Sequence, residues 1–433
     1  MKSKQDMYIN YERSNKKRRK RGPKWYLILL IVVLGVGLAG VAFYIVNDYM
    51  QNKNQITLAG EKHNLGPSPT SNPTPRPTVS PTPTPTVAPT PTVIPVQPVT
   101  SSAIKVKGVY VSSSTAASDK LNSLIEIANT TEVNSLVIDI KDDTGKITYL
   151  MDSAEAKKID SVTNTIKDMD QLVASLKEKN IYLIARIVAF KDPYLAKMRP
   201  ELAIRNQDGS IYKDNNGDRW VNPYNKEVWN YLIEVAAKSA ELGFDEIQFD
   251  YIRFSTGKGI ANADFGKAAK NKSKEEIITE FTKYAYDNLK PLGINVSADV
   301  YGTIISSKID AGLVGQNFAE MSKYLDYICP MIYPSHFGEG NYGVKYPDLE
   351  PQEIIRKSLL ASKEKLDQIP EGEHKAMVRP WLQDFTATWI KHYQKYGKEE
   401  LREQINGVYD AGYEEWLLWN AGCNYTEEGL LAQ

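Results

Sequence analysis

Hydrophobic and polar positions divide this chain into three zones. Trp25 to Val46, WYLILLIVVLGVGLAGVAFYIV, is an uncharged apolar run of 22 residues. At 1.5 Å per residue it predicts a helix about 33 Å long, enough to cross a hydrocarbon core of about 30 Å. Residues 65–100 have no apolar face: twelve prolines are interleaved with Thr, Ser and Val. This reads as a polyproline-like spacer reaching up to roughly 110 Å when extended. From about Val106 the pattern changes again, to short β-rich phrases separated by amphipathic helical stretches.

The strand phrases are KGVYV (107–111), SLVIDIK (135–141), IYLIARIVAF (181–190), DEIQFDYIRF (245–254), INVSADVY (294–301), LDYICPMIYP (325–334), HKAMVRPWLQ (374–383) and YEEWLLWN (413–420). Their nearly continuous apolar character suits strands covered by helices. Helical periodicity fills the gaps over 117–131, 158–180, 225–243 and 274–293, several of these stretches ending at Gly or Asn. Eight such units predict an α/β fold, a (β/α)8 TIM barrel, with a shortened final unit and a long loop over the mouth from Lys191 to Val221. A doubly wound sheet is the alternative, but GVYVSSSTA after the first strand lacks G-x-G-x-x-G.

The expected organisation is a basic cytoplasmic tail over 1–24, a single transmembrane helix acting as signal anchor over 25–46, a disordered extracellular Pro/Thr-rich spacer over 47–104 and the barrel over 105–433. Residues 1–24 hold ten Lys or Arg against Asp6 and Glu12, and the chain's formal net charge is zero. The tail therefore belongs on the cytoplasmic side by the positive-inside rule, and the exported part is mildly acidic. That balance argues against a nucleic-acid partner, while the apolar run makes the lipid bilayer one. A cleaved signal peptide competes, although its apolar region is normally only about 7–15 residues long. The localisation expected is the cell membrane, single-pass, with the C-terminal domain outside. Two cysteines, Cys329 and Cys423, do not make a disulfide scaffold; Cys329 reads as a buried hydrophobe, with pairing to Cys423 left open.

In a barrel the C-terminal strand ends converge on one mouth. Those ends carry Asp139, Arg186, Asp250, Arg253, Asp299, Tyr333, His336, Gln383, Asp384, Trp419 and Asn420, with Gln248 and Trp381 nearby. Acids, amides and flat rings suit a sugar, and two carboxyls can divide nucleophilic and proton-donor work. Asp250 is the expected nucleophile. Gln248 and Asp250 share one strand face and Phe249 and Tyr251 the other. Arg253 would orient a carboxylate or a substrate oxygen; the plainer reading is an Asp250–Arg253 ion pair. Asp299, at the end of the next strand, is the expected acid/base, a turn cap being its plainer role. Asp139 interrupts a buried strand and needs Lys141 or Arg186 as a partner, whereas Asp142 and Asp143 sit beside a Thr-Gly turn that explains them locally. Trp381, Trp419 and Tyr333 are candidate sugar platforms, Trp220 is a lid or subsite residue, and His336 contacts substrate or caps a turn. The four histidines form no H-E-x-x-H or H-x-x-E-H cluster and there is no G-x-S-x-G elbow. The chemistry expected uses no metal and no cofactor.

Five long phrases in order, GFDEIQFDYIRF, VSADVYG, DYICPMIYPSHF, RPWLQDF and WLLWNAGCNYT, resemble the glycoside hydrolase-like TIM-barrel family DUF4015. The resemblance runs from Lys107 to about Thr426 and takes in KGVYVSSS, VIDIKDDTG, YLIARIVAFKDP and WVNPYN. It implies a barrel and a carbohydrate-active class, with Asp250, Arg253, Asp299 and His336 among the matching positions. The resulting expectation is a membrane-anchored extracellular glycosidase acting on a polysaccharide or cell-wall glycan. The alternatives are a noncatalytic glycan-binding protein on the same scaffold and a metal-dependent carbohydrate deacetylase.

Overall fold

A computed structural model describes residues 104–431; the expected tail, apolar helix and spacer lie outside the described residues. Among the described residues no helix is long and apolar enough to cross a membrane.

Strands β1 (Lys107–Val111), β2 (Ser135–Lys141), β3 (Tyr182–Val188), β4 (Glu246–Asp250), β5 (Asn295–Tyr301), β6 (Tyr327–Met331), β7 (Met377–Val378), β8 (Trp381–Gln383) and β9 (Trp416–Trp419) form one sheet, every pairing parallel. The spatial order is β5-β4-β3-β2-β1-β9-β8-β6-β7, and β5 also pairs with β6, which closes the sheet. β7 and β8 are two halves of one stave, so the barrel has eight. Pro380 interrupts that stave because it has no N–H to donate. Its carbonyl still accepts from Leu417 N at 2.9 Å, so β9 stays attached across the break.

Helices cover the outside: α1 (Lys120–Thr130), α2 (Met169–Glu178), α3 (Lys226–Glu241), α4 (Lys274–Leu289), α5 (Phe318–Ser322), α6 (Pro351–Leu366) and α7 (Lys398–Asp410). α4 shows how the sequence sets one. Ser273 accepts from Glu276 N while the Glu276 side chain accepts from Ser273 N, a capping box. The helix then buries Ile277, Ile278, Phe281, Ala285 and Leu289. Phe281 meets Phe249 of β4 edge-on at 5.5 Å, so the odd-numbered face of β4 packs on helices and Glu246, Gln248 and Asp250 turn into the barrel.

Two expectations change. In the stretch read as helical over 158–180, Lys158 only ends a short helix begun at Ala154 and the main helix runs from Met169 to Glu178; between them Val162 forms a bridge to Ile147 and Thr163 bonds the Ile147 carbonyl at 2.7 Å, drawing this β-branched stretch onto the barrel. The segment after β3 is more than a loop, with a short helix at Leu195–Met198 and antiparallel bridges Ala203–Val221, Arg205–Ile211 and Lys213–Arg219. Cys329 is buried as expected, and the pairing left open is absent: Cys329 and Cys423 are both free and buried, Cys329 receiving Gln248 Nε2 at 3.4 Å and Cys423 the amide of Ser112 at 3.3 Å. After β9 the chain closes the eighth unit with only a 3-10 turn at Glu427–Gly429.

Candidate active site

The inward residues of the staves form layers, and the uppermost is ionic. Arg186 of β3 donates from Nε and Nη2 to Asp250 Oδ2 (3.0 and 2.6 Å), from Nη1 to Asp139 Oδ1 (2.6 Å) and from Nη2 to Asp143 Oδ1 (3.0 Å). Tyr110 of β1 donates to the second oxygen of Asp139 at 2.6 Å. The guanidinium lies 5.5 Å from the ring centre of Tyr110 and 5.6 Å from that of Trp419. A shift of register between β2 and β3 separates Asp139, which faces Arg186, from Lys141, which pairs with Asp192 at 2.7 Å in a fully buried ion pair. Bulges of this kind re-aim side chains.

Asp299 is the neighbouring acid. β4 and β5 run in register through Phe249 and Ala298, so the next pair of strand ends is Asp250 and Asp299, on backbones about 4.8 Å apart. Asp299 is 2% exposed and accepts one hydrogen bond, from Trp381 Nε1 at 2.6 Å. Burial first, and then the charge of Asp250, push its carboxyl well above the usual range, outweighing Trp381 and Arg186. Asp250 meets a permanent cation, whereas Asp299 beside it has, among the described residues, no cation bonded to its carboxyl. Burial also raises Asp139 despite its bond to Arg186.

Both acids open on a cleft of about 820 Å³. Its lining includes Trp220, Tyr251 and Tyr301, grouped around Arg253, and also Tyr333, His336, Tyr346 and Trp389. Tyr251 has φ +50°, a costly conformation for a bulky residue. It turns the chain immediately after Asp250: the Tyr251 amide bonds Asp250 Oδ1 at 2.6 Å, and the Tyr251 ring swings into the cleft. His336 stands edge-on to Tyr333 at 5.1 Å and beside Ser335 Oγ at 3.0 Å, and burial lowers its pKa to about 4. Among the described residues no group of three or more His, Cys, Asp or Glu is arranged to hold a metal ion; the three carboxylates that converge do so on Arg186.

The sequence matches the family model DUF4015, described as "Putative glycosyl hydrolase domain", over residues 108–425. The chain belongs to this family. Among solved structures, a hypothetical protein from Ruminiclostridium thermocellum is 40% identical, the match covering 44% of this chain and 97% of that one at a TM-score of 0.41. The glycoside hydrolase domain of PgaB (BpsB) from Bordetella bronchiseptica superposes at a TM-score of 0.52 with 12% identity, covering 76% of this chain and 100% of that one. The second is a likeness of fold. A search of curated proteins returned no match.

Within this DUF4015 barrel, nine of the residues singled out from the sequence line the cleft: Arg186, Trp220, Asp250, Arg253, Asp299, Tyr333, His336, Trp381 and Trp419. Five lie off it. Asp139 stands behind Arg186, and Gln248 sits one layer below Asp250 against Cys329. Gln383 accepts from Ser335 Oγ at 2.7 Å and donates to Asp348 and the Phe385 carbonyl, fixing the loop that carries His336. Asp384 accepts twice from Thr426 at 2.8 Å, and Asn420 donates to the Asp384 carbonyl at 2.6 Å. These last two hold the C-terminal segment to the rim.

Two pairings differ from the plainer readings. Asp250 pairs with Arg186 rather than Arg253, and Tyr251 faces the cleft rather than the helices, because the strand ends at Asp250 and the positive φ reverses its direction. Asp142 caps its turn through Thr144 as expected of its neighbours, but Asp143, explained away by the same turn, reaches Arg186. Tyr110, Tyr251, Tyr301 and Trp389 were not singled out. For Tyr110 the signal was available, since it alternates with Gly108 on the inward face of β1.

Proposed function

We propose that this domain hydrolyses a glycosidic bond with Asp250 and Asp299, and that the substrate is a polysaccharide or cell-wall-associated glycan. One observation carries the reading: two carboxyls at adjacent strand ends face one cleft in unlike surroundings, Asp250 in an ion pair with Arg186 and Asp299 buried against Trp381, its pKa raised by burial and by the charge of Asp250. Glycoside hydrolysis needs that asymmetry, a charged carboxylate and a proton donor flanking the same linkage. In this scheme Asp299 gives its proton to the leaving oxygen as that C–O bond breaks. Asp250 attacks the anomeric carbon, and Asp299, now ionised, takes a proton from the water that releases the sugar. Arg186 holds Asp250 in one orientation, and Asp139 and Tyr110 hold Arg186. Trp419, partly exposed, gives a sugar's apolar face a surface to lie on, while Trp381, edge-on to it at 5.9 Å, is buried and holds Asp299 rather than serving as a platform.

The same reading covers the rest of the chain. The apolar run 25–46 behind Lys16–Arg21 anchors it in the bilayer, and the proline-rich stretch 65–100 carries the barrel away from that surface into a glycan layer. The test is reducing-end release by the purified full-length chain from a panel of bacterial wall and capsular glycans. Release supports hydrolysis. Saturable binding without release, unchanged in Asp250→Asn and Asp299→Asn, would make the barrel a glycan-binding module instead.

A further inference from the structure

Arg253 is a cation without a counter-charge. It follows Asp250 by three residues, is 8% exposed and lines the cleft. Among the described residues it enters no ion pair, and of its five N–H donors one bond is made, Nη1 to the Phe254 carbonyl at 2.9 Å. Its surroundings are rings: the guanidinium lies 5.1 Å from the centre of Trp220, 5.0 Å from Tyr251 and 4.7 Å from Tyr301. None of its nitrogens is sealed without a partner, so the donors not used by the Phe254 carbonyl are open to the cleft, where a ligand can take them.

Arg253 also has a second cation for company. Lys191, on the segment leaving β3, stands 4.8 Å from the centre of the same Tyr251 ring and also lines the cleft. Its nearest acid is the partly exposed Asp218, at 3.4 Å. Two positive groups therefore flank one ring at the mouth of a domain whose exported part is acidic overall. The ring is held there by the unfavourable φ of Tyr251, so the chain accepts backbone strain to build this corner. Strain of that sort marks places where the geometry is used. The other arginine of the cleft, Arg186, is already surrounded by three carboxylates and has no such capacity.

We propose that Arg253 and Lys191, on the platform of Trp220, Tyr251 and Tyr301, form an anion subsite, and that the glycan taken by this cleft carries an acidic group, a carboxylate or a phosphate, on a sugar beside Asp250. The inference rests on the glycosidase reading of the cleft and names the class of its substrate. A planar guanidinium matches a carboxylate or phosphate with two parallel hydrogen bonds, which neither a hydroxyl nor the Lys substitution reproduces. The rings meanwhile cover the sugar face and keep water from the ion pair.

Calorimetric binding to the full-length chain tests this with three probes: an oligogalacturonate, its carboxyl-reduced neutral counterpart, and a phosphorylated neutral oligosaccharide. Wild type is expected to bind an acidic probe at least about tenfold tighter than the neutral one, as one charged hydrogen-bonded pair supplies. The preference should shrink at high salt. Whichever acidic probe is preferred identifies the anion as carboxylate or phosphate. Arg253→Lys should lose most of the preference and Lys191→Gln part of it. If the Arg253 variant does not fold, Lys191→Gln and the salt dependence of wild type decide. Equal affinity for acidic and neutral probes, no binding of either acidic probe, or a preference untouched by Lys191→Gln and by salt would overturn the subsite. Hydrolysis of neutral glycans without acidic preference would overturn it and leave the glycosidase reading standing; acidic preference without reducing-end release would do the reverse.

Discussion

Arg186 and Arg379, buried at opposite ends of the barrel, keep nearly the same company. At the floor, Arg379 donates from Nε to Glu415 at 2.9 Å and from Nη1 to both oxygens of Glu246 at 2.9 Å, with its guanidinium 3.6 Å from the centre of the Tyr327 ring. At the mouth, Arg186 holds Asp139, Asp143 and Asp250 between Tyr110 and Trp419. Both sites are arginines ringed by acids and aromatics. Access separates them: the side chains of Arg379, Glu246 and Glu415 are 0%, 0% and 4% exposed, whereas Asp143 is 47% exposed and Asp250 lines the cleft. A buried ion cluster is therefore no sign of chemistry by itself. The floor cluster ties β4, the β7–β8 stave and the start of β9 together; the mouth cluster presents one of its carboxylates to whatever enters.

Substitutions at the two ends should give opposite phenotypes, and the largest is expected at the mouth. Asp250→Asn should lower turnover by roughly 10³-fold or more while the melting temperature stays close to wild type, since Arg186 keeps Asp139 and Asp143. At the floor, Arg379→Met leaves Glu246 and Glu415 buried without their partner, at a cost of about 3–5 kcal/mol, because breaking a buried pair strands a charge. Chemical denaturation would measure that loss, and turnover per folded molecule should be unchanged. If Arg379→Met were inactive yet as stable as wild type, the division between the two ends would fail.

A subtler effect concerns Asp299. Its carboxyl is raised in the folded state, so the native protein binds a proton that the unfolded chain has released. Stability from this group is fully present below the unfolded carboxyl pKa of about 4 and is lost as pH rises toward the folded value. In Asp299→Asn that decline should vanish, visible as a flatter melting temperature from acid to neutral pH. A slope identical to wild type would mean Asp299 is ionised and no proton donor. The smallest effect belongs to His336, whose lowered pKa of about 4 works in the other direction. Its contribution is present above about 6.5 and is lost as pH falls from there through about 4. His336→Phe should remove that loss on the acid side of the same titration.

The sequence carried the architecture better than the wiring. All eight staves were visible because each is a short apolar phrase at its own place in the chain, and α3 could be read from Asn225 through the apolar face of Val228, Trp229, Leu232 and Val235. The stave broken at Pro380 still showed as a single phrase, since Arg379 and Trp381 keep the inward alternation on either side. Partners across strands were harder to read. That Arg186 takes Asp250 depends on the register of β3 against β4, and that it takes Asp139 and Asp143 depends on the shift between β2 and β3. No local pattern encodes either. Asp143 was misread because a Thr-Gly turn explains an acid whether or not that acid also reaches a cation. Tyr251 was misread because strand alternation was extended one residue past the strand end, where the backbone turns over.

The nucleophilic role of Asp250 is tested by turnover of Asp250→Asn on whichever glycan wild type cleaves, with folding checked in the same preparation. That role predicts a folded protein that still binds the glycan and releases at most about a thousandth of the wild-type reducing ends. Wild-type turnover by a folded Asp250→Asn would contradict it, and would reduce the cluster around Arg186 to the same structural role as the one around Arg379.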